Sequence, residues 1–140
     1  MFTIDTTSEL GARVDRRLAE EKVVWLTTVG KSGMPAPNPV WFDWTGSELL
    51  MVSQPDTAKV RNVAAHPSVA VHFNATFTGG DVGIFSGTAV IDDTGLSAGE
   101  RAAYDRKYGA DIAGLSMTPD QFHAEYSVLI RFTPAKLRGF

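Results

Sequence analysis

The sequence contains no cysteine among its 140 residues. Disulfides, thiolate nucleophiles and cysteine-ligated zinc or iron–sulfur sites are therefore excluded. The sequence also lacks an apolar run of about 18 residues, the length that a membrane-spanning helix needs. Its first residues do not combine a basic segment with an apolar block, as a signal peptide would. We therefore expect a cytoplasmic protein that has no membrane partner.

A strong excess of one charge is also missing. Thirteen Lys and Arg against sixteen Asp and Glu give a net charge of −3, so no overall positive field favours binding to nucleic acid. The chain length and an apolar content of 44% suit one domain with its own core. Because no repeat, low-complexity segment or linker interrupts the chain, we expect a single domain over residues 1–140.

Conventional catalytic and metal-binding motifs are absent as well. The three histidines, His66, His72 and His123, follow no metal-ligand spacing. The sequence has no G-x-S-x-G hydrolase motif, no G-x-G-x-x-G and no phosphate-binding G-x-x-x-x-G-K-[ST]. We therefore predict no metal site and identify no catalytic residue. This pattern favours a protein that binds a cofactor with chemistry of its own.

Periodic patterns predict a mainly β protein. Strands are expected at residues 23–29, 34–44, 49–52, 68–74, 82–91 and 126–133. Helices are expected at about 7–21, 57–66, 97–108 and 118–124, with a capping box at residues 6–9 and a short C-terminal tail. Six strands with mainly hairpin-like links indicate an antiparallel sheet or a small barrel. Gly83 and Gly87 suggest bends or bulges in the fifth strand.

Proline recurs with a period of two in the second predicted strand. Pro35, Pro37 and Pro39 have no backbone N–H group, and in an extended strand all three missing donors belong to the same edge. That edge would keep only carbonyl acceptors. One interpretation is a blunted edge that prevents aggregation. The other is an edge left open for a planar ligand whose ring N–H groups need acceptors.

Two cations lie near the start of the second predicted helix. Asp56 or Thr57 can cap this helix and Pro67 ends it, which places Lys59 and Arg61 in its first turns. A helix N-terminus offers free N–H groups and partial positive charge, so added cations would complete an anion site. The alternative is that both side chains are solvated charges on a surface helix.

The third predicted helix carries Tyr104, Arg106, Lys107 and Tyr108. We interpret these residues as an amphipathic surface. Arg106 or Lys107 is an alternative contact for the acidic tail of a ligand.

The order of these features resembles the pyridoxamine 5'-phosphate oxidase-like split β-barrel flavoproteins, from about residue 23 to residue 132. The resemblance is carried by the segment GMPAPNPVWF at residues 33–42, by Ser53, and by the Lys59-x-Arg61-Asn62 pattern ahead of HPSVAV at 66–71. The chain looks most similar to the actinobacterial branch that uses the deazaflavin coenzyme F420. The resemblance implies a six-stranded antiparallel split β-barrel of the FMN-binding type, with flanking helices. It also implies a homodimer with cofactor sites between the protomers.

Residue by residue, the resemblance implies a cofactor site with two parts. The phosphate would be bound by Lys59 and Arg61, with Ser53, Thr57 and Asn62 in the same motif. The ring would lie along the strand formed by Asn38, Pro39, Val40 and Trp41.

The implied activity is hydride transfer from reduced F420 to an electron-poor conjugated small molecule. The alternatives are an FMN-dependent reductase or oxidase of the same fold, and a flavin- or tetrapyrrole-binding protein without turnover. Residues 131–140 are too short to assign as the substrate-phosphate site of the FMN-type oxidases, so we do not expect vitamin B6 oxidation.

Overall fold

The computed structural model describes residues 1–140 and contains seven strands and four helices. The strands are β1 Val24–Val29, β2 Pro35–Val40, β3 Asp43–Trp44, β4 Leu49–Ser53, β5 Ser68–His72, β6 Gly83–Asp92 and β7 Val128–Gly139. The helices are α1 Glu9–Glu20, α2 Ala58–Ala65, α3 Ala98–Gly114 and α4 Pro119–Glu125. All strands belong to one sheet in the order β2-β1-β5-β6-β7-β4-β3, and every neighbouring pair is antiparallel.

The predicted fold class, a mainly β antiparallel split barrel, is confirmed, but the sheet has seven strands instead of six. The second predicted strand is interrupted at Trp41 and Phe42, which separate β2 from β3. These two strands form the opposite edges of the sheet. Because only two residues connect the edges, the sheet must curl until they approach each other, which gives a half-barrel.

The C-terminal end is part of the sheet. The sequence predicted a last strand ending at residue 133 and a short tail, whereas β7 continues to Gly139 and pairs with β6 along its length. The register shifts between Ser86 and Gly87, so the bulge expected from the glycine pattern is present. A Cβ atom on Gly87 would lie 2.2 Å from the carbonyl oxygen of Thr133, so no larger residue fits this close approach.

The helix ends differ from the predictions in two places. α1 is capped by Ser8, whose Oγ accepts a 2.9 Å hydrogen bond from the Gly11 N–H, so the expected capping box at residues 6–9 is wrong. α3 continues six residues past the predicted end at Tyr108, and its capping box at Ser97 and Glu100 is present as predicted. None of the four helices combines the length and hydropathy that crossing a bilayer would need.

Apolar side chains form two clusters. The larger one fills the inside of the curled sheet, and α1 and α2 contribute Leu18 and Val63 to it. The smaller one joins α3 to α4 through Tyr104, Tyr108, Ile112 and Phe122, and Trp41 and Val52 pack against it. The prediction that Tyr104 and Tyr108 lie on an amphipathic surface is therefore wrong: both are fully buried.

Candidate functional site

A cleft of about 430 Å³ opens where the end of β2, the start of α2 and the α3–α4 pair meet. Its walls are mostly apolar, with four aromatic side chains and one cation. The lining residues are Val23, Pro39, Val40, Trp41, Val52, Lys59, Tyr104, Leu115, Phe122 and Tyr126. Such a cavity, concave and largely apolar with few polar groups, is typical of a small-molecule site.

β2 forms one border of this cleft and is an edge strand. It pairs only with β1, in a continuous register from Val24 opposite Val40 to Val29 opposite Pro35. Because proline has no donor, the alternate residues make the hydrogen bonds to β1, and the proline carbonyls point to the free edge. The edge predicted from the proline spacing is therefore present, and Pro39 lies where it meets the cleft.

Lys59 provides the only cation in the cleft wall. Its side chain makes no hydrogen bond within the chain, and no carboxylate forms an ion pair with it. Burial of the ammonium group lowers the pKa of Lys59 below its usual value. An unpaired, partly desolvated cation beside aromatic walls has the chemistry to accept an anionic group of an otherwise apolar ligand.

The turn before α2 brings Ser53 and Thr57 together. The Ser53 hydroxyl is buried, donates to the Gln54 carbonyl at 2.8 Å and lies 3.0 Å from Thr57 Oγ1. Thr57 is the N-cap residue of α2, but its side chain caps no N–H group. The first N–H groups of α2 therefore have no side-chain partner, next to Lys59.

Arg61 lies on a different face of α2 from Lys59. Its Nη1 donates to the carbonyl of Asp56, a residue held in the left-handed region with φ of 61°. The other N–H groups of the exposed guanidinium make no hydrogen bond within the chain. Arg61 thus stabilises the turn that begins α2 and does not line the cleft.

The two predicted asparagines also lie outside the cleft lining. Asn62 Nδ2 donates to Thr28 Oγ1 at 3.1 Å, which ties α2 to β1. Asn38 lies on β2 and makes only a long 3.5 Å contact with the carbonyl of Ala36. Of the nine predicted site residues, the structure therefore gathers four in the cleft wall, Pro39, Val40, Trp41 and Lys59, and places Ser53 and Thr57 in the adjoining turn.

Sequence reasoning missed the wall that α3 and α4 contribute. Trp41 stacks on Tyr108, at 4.7 Å between ring centroids, and on Phe122, at 5.7 Å, while Phe122 stacks on Tyr126 at 4.6 Å. The i, i+4 spacing of Tyr104 with Tyr108, and of Phe122 with Tyr126, was a signal that each helix presents an aromatic face.

The histidines take no part in the cleft lining. His123 Nε2 lies 2.7 Å from Asp105 Oδ1, and His72 Nδ1 lies 2.9 Å from the carbonyl of Phe73. No group of three or more His, Asp or Glu side chains is arranged to hold a metal ion.

A profile of the pyridoxamine 5'-phosphate oxidase family matches residues 10–140, which is most of the chain. The chain belongs to the pyridoxamine 5'-phosphate oxidase family. Among curated proteins, none matches this family member closely enough in sequence to count as a relative.

Solved structures share the fold of this family member at low sequence identity. The haem storage protein HutZ from Vibrio cholerae is 18% identical, with a TM-score of 0.70, over 99% of this chain and 95% of its own. An F420 reductase is 23% identical, with a TM-score of 0.67, over 89% and 94%. A putative pyridoxamine 5'-phosphate oxidase from Listeria innocua is 22% identical, with a TM-score of 0.67, over 93% and 97%.

Proposed function

We propose that the protein binds a phosphorylated flavin-type cofactor in the cleft and acts as an F420H2-dependent oxidoreductase on an electron-poor conjugated small molecule. The observation that best supports the proposal is the environment of Lys59. Lys59 is an unpaired, half-buried cation in an aromatic-walled cleft that a donor-free strand edge borders.

The residues present fit both parts of such a cofactor. Lys59 and the first N–H groups of α2 suit a phosphate, and the unused N–H groups of Arg61 are available to a phosphate that extends past the cleft. The carbonyls at the Pro39 end of β2 suit ring N–H donors. Trp41 and Tyr126 are only partly buried and provide flat apolar surface for the ring.

The bound cofactor would supply the hydride chemistry, and the chain would bind, orient and desolvate the reactants. The cleft lining contains no carboxylate and no histidine. Its tyrosines, Tyr104 and Tyr126, are the only O–H groups in the lining, and burial raises the pKa of Tyr104. We therefore propose that a proton needed by the product comes from solvent.

The fold alone leaves the cofactor open. An F420 reductase and a haem storage protein both share it, as does an FAD-binding protein from Mesorhizobium loti. FMN-dependent oxidation or reduction, and binding without turnover, are therefore the alternatives. Haem has the least support, because no histidine lines the cleft.

Parallel titrations of the purified protein with F420, FMN and haem test the cofactor. Each flavin-type ligand is paired with its phosphate-free counterpart, riboflavin for FMN and the deazariboflavin core for F420. We expect F420 to bind most tightly and to lose affinity without its phosphate. Tighter binding of FMN would favour the FMN-dependent alternative over F420. Equal binding with and without phosphate would contradict a phosphate site.

Replacing the cleft cation tests the anchor. Lys59→Met should weaken binding of the phosphorylated ligand by about 1.5–3 kcal/mol, the loss expected for a charge-assisted hydrogen bond, and should change binding of the phosphate-free ligand much less. Arg16→Met is the matched control, because Arg16 is exposed on α1 and makes no ion pair. An equal loss for both ligands would mean that Lys59 does not contact the phosphate.

Turnover is tested by mixing reduced F420 with a panel of conjugated acceptors and following its oxidation. Acceptor-dependent oxidation that is lost in Lys59→Met supports the enzyme. Tight binding of reduced F420 that no acceptor oxidises supports a binding protein without turnover.

We also propose that the protein is a homodimer that associates through the outer face of the sheet. A row of side chains crosses this face from Pro39 through Trp25 and His72 to Ile84, since these residues are direct neighbours in the strand register. The inward-pointing neighbours of Trp25, Val24 and Leu26, are fully buried in the core, so Trp25 points outward.

A further inference from the structure

Phe42 lies at the interruption between β2 and β3, where its backbone cannot pair within the sheet. Helix α3 supplies the missing partners. The Phe42 N–H donates to the Tyr108 hydroxyl at 2.8 Å, and its carbonyl accepts from Lys107 Nζ at 2.9 Å. The Tyr108 hydroxyl also lies within 2.8 Å of the carbonyls of Phe42 and Lys22, either of which can accept its proton. A buried backbone N–H or carbonyl needs such a partner.

The same two side chains contact the rings of both residues of the interruption, Trp41 and Phe42. Tyr108 stacks on Trp41 with an angle of 6° between the ring planes, and Lys107 Nζ lies 3.6 Å from the centroid of the Phe42 ring. Trp41 lines the cleft, whereas neither Tyr108 nor Lys107 does.

We propose that Tyr108 and Lys107 are positioning residues that hold the interruption at Phe42 and thereby set the Trp41 ring in the wall of the ligand cleft. The proposal rests on the proposed function, because Trp41 matters only if the cleft binds a ring. Without the Tyr108 hydroxyl, the Phe42 N–H loses its partner and the backbone beside Trp41 is free to shift, although the stacked ring of residue 108 remains.

Fluorine NMR on protein labelled with 5-fluorotryptophan tests this directly. The chain has three tryptophans, so Trp25, Trp41 and Trp44 give three signals that single Trp→Phe variants assign. In the ligand-free protein, Tyr108→Phe and Lys107→Met should shift or broaden the Trp41 signal and leave the Trp25 signal in place. Lys107→Arg, which keeps a cationic donor, should restore it.

Arg106→Met is the matched control. Arg106 is the neighbouring cation on α3, but its exposed side chain makes no hydrogen bond or ion pair within the chain. Its replacement should leave the Trp41 signal unchanged. If Tyr108→Phe does not fold, the two Lys107 variants carry the same test.

Binding is then measured with either FMN or F420, using the one that the unsubstituted protein binds more tightly. We expect Tyr108→Phe to lower this affinity on the order of tenfold, the equivalent of one hydrogen bond. An unchanged Trp41 signal in both Tyr108→Phe and Lys107→Met would overturn the proposal, as would equal shifts of all three signals. A Trp41 shift in a protein that binds neither ligand would support the positioning role and overturn the proposed function.

Discussion

Lys107 has its ammonium group half-buried between Phe42 and the rest of α3. Burial lowers its pKa to about 8, although the carboxylate of Asp43 opposes this shift; Lys22 adds to it and Glu21 opposes it. Asp43 is itself partly buried, which raises the pKa of its carboxyl against the fields of Lys107 and Arg106. The site thus favours the neutral amine of Lys107 more than water does.

The low pKa of Lys107 gives a prediction with a defined sign. Its ordinary pKa is 10.5, so between about pH 8 and 10.5 the unfolded chain holds a proton that the folded chain has released. Stability rises with pH wherever the unfolded state binds more protons. The free energy of unfolding of the unsubstituted protein, minus that of Lys107→Met, should therefore increase from pH 8 to pH 10 in urea titrations. Subtraction removes the other titrating groups, and a flat or decreasing difference would contradict the low pKa.

At the scale of single residues, the sequence did not decide which of Lys59 and Arg61 faces the cleft. Both were expected to bind the same phosphate, but residues two positions apart are rotated by about 200° around a helix. In the structure Lys59 lines the cleft, whereas Arg61 contacts the carbonyl of Asp56. This distinction was available from the helical period. Which of the two faces inward depends on how α2 packs on β1, which the local sequence does not encode.

At the scale of elements, local patterns predicted the strands and helices well and their ends less well. The strand edge and the bulge were predicted correctly because proline removes a backbone donor and glycine permits a close approach at the position where each stands. The interruption at Phe42 was missed, because its hydrogen-bond partners come from α3, 65 and 66 residues away in the sequence. The pairing of residues 134–139 with β6 is non-local for the same reason.

Arg131 connects four elements and so carries the clearest prediction at this scale. It donates to Glu100 at the start of α3 with two 2.8 Å bonds, to Asp92 at the end of β6 at 2.6 Å, and to Glu48 before β4 at 3.3 Å. Arg131→Gln would leave three carboxylates close together without a cation. We expect it to lower the free energy of unfolding by about 2 kcal/mol, the scale of a lost charge-assisted hydrogen bond, measured by urea denaturation at pH 7.

The effect of Arg131→Gln should depend on pH. Hydrogen bonds from Arg131, then from Ser97, lower the pKa of Glu100 to about 2, and Thr94 and Arg131 do the same for Asp92. A lowered carboxyl pKa contributes stability above the unfolded-state value, here near 4, and the contribution is lost as the pH falls through about 2. The difference between the two proteins should therefore be largest above pH 5 and shrink towards pH 2.

Arg101→Gln is the control for this pair of measurements. Arg101 contacts Asp105 at 3.6 Å and the exposed Asp120, both near the surface. Its loss should cost less than about 1 kcal/mol. An equal cost for both variants would show that Arg131 is one more surface charge and does not hold α3 to the sheet.

The cleft exists only at the scale of the whole molecule. Its lining comes from β2, β4, α2, α3, α4 and the segments beside them, and the curled sheet brings these together. The order of features in the sequence was enough to indicate the family and one side of the site. The aromatic side could not be predicted, because it depends on how α3 and α4 pack over the strand interruption.

The proposed homodimer is the last consequence of this architecture. Trp25 stacks on His72 at 6.4 Å with parallel rings, and its Nε1 donates to Asn74 Oδ1 at 2.8 Å, so it presents a fixed apolar surface on the outer face. Trp25→Glu would place an unpaired carboxylate in the interface, which costs several kcal/mol. We expect the dimer dissociation constant to rise at least about 100-fold, measured by sedimentation velocity. Ala102→Glu, on the exposed face of α3, should sediment like the unsubstituted protein.

If the cofactor site lies between protomers, Trp25→Glu should also lose F420 or FMN affinity at protein concentrations where it is monomeric and recover it at concentrations where it associates. A monomeric unsubstituted protein, or a dimer unaffected by Trp25→Glu, would contradict association through this face.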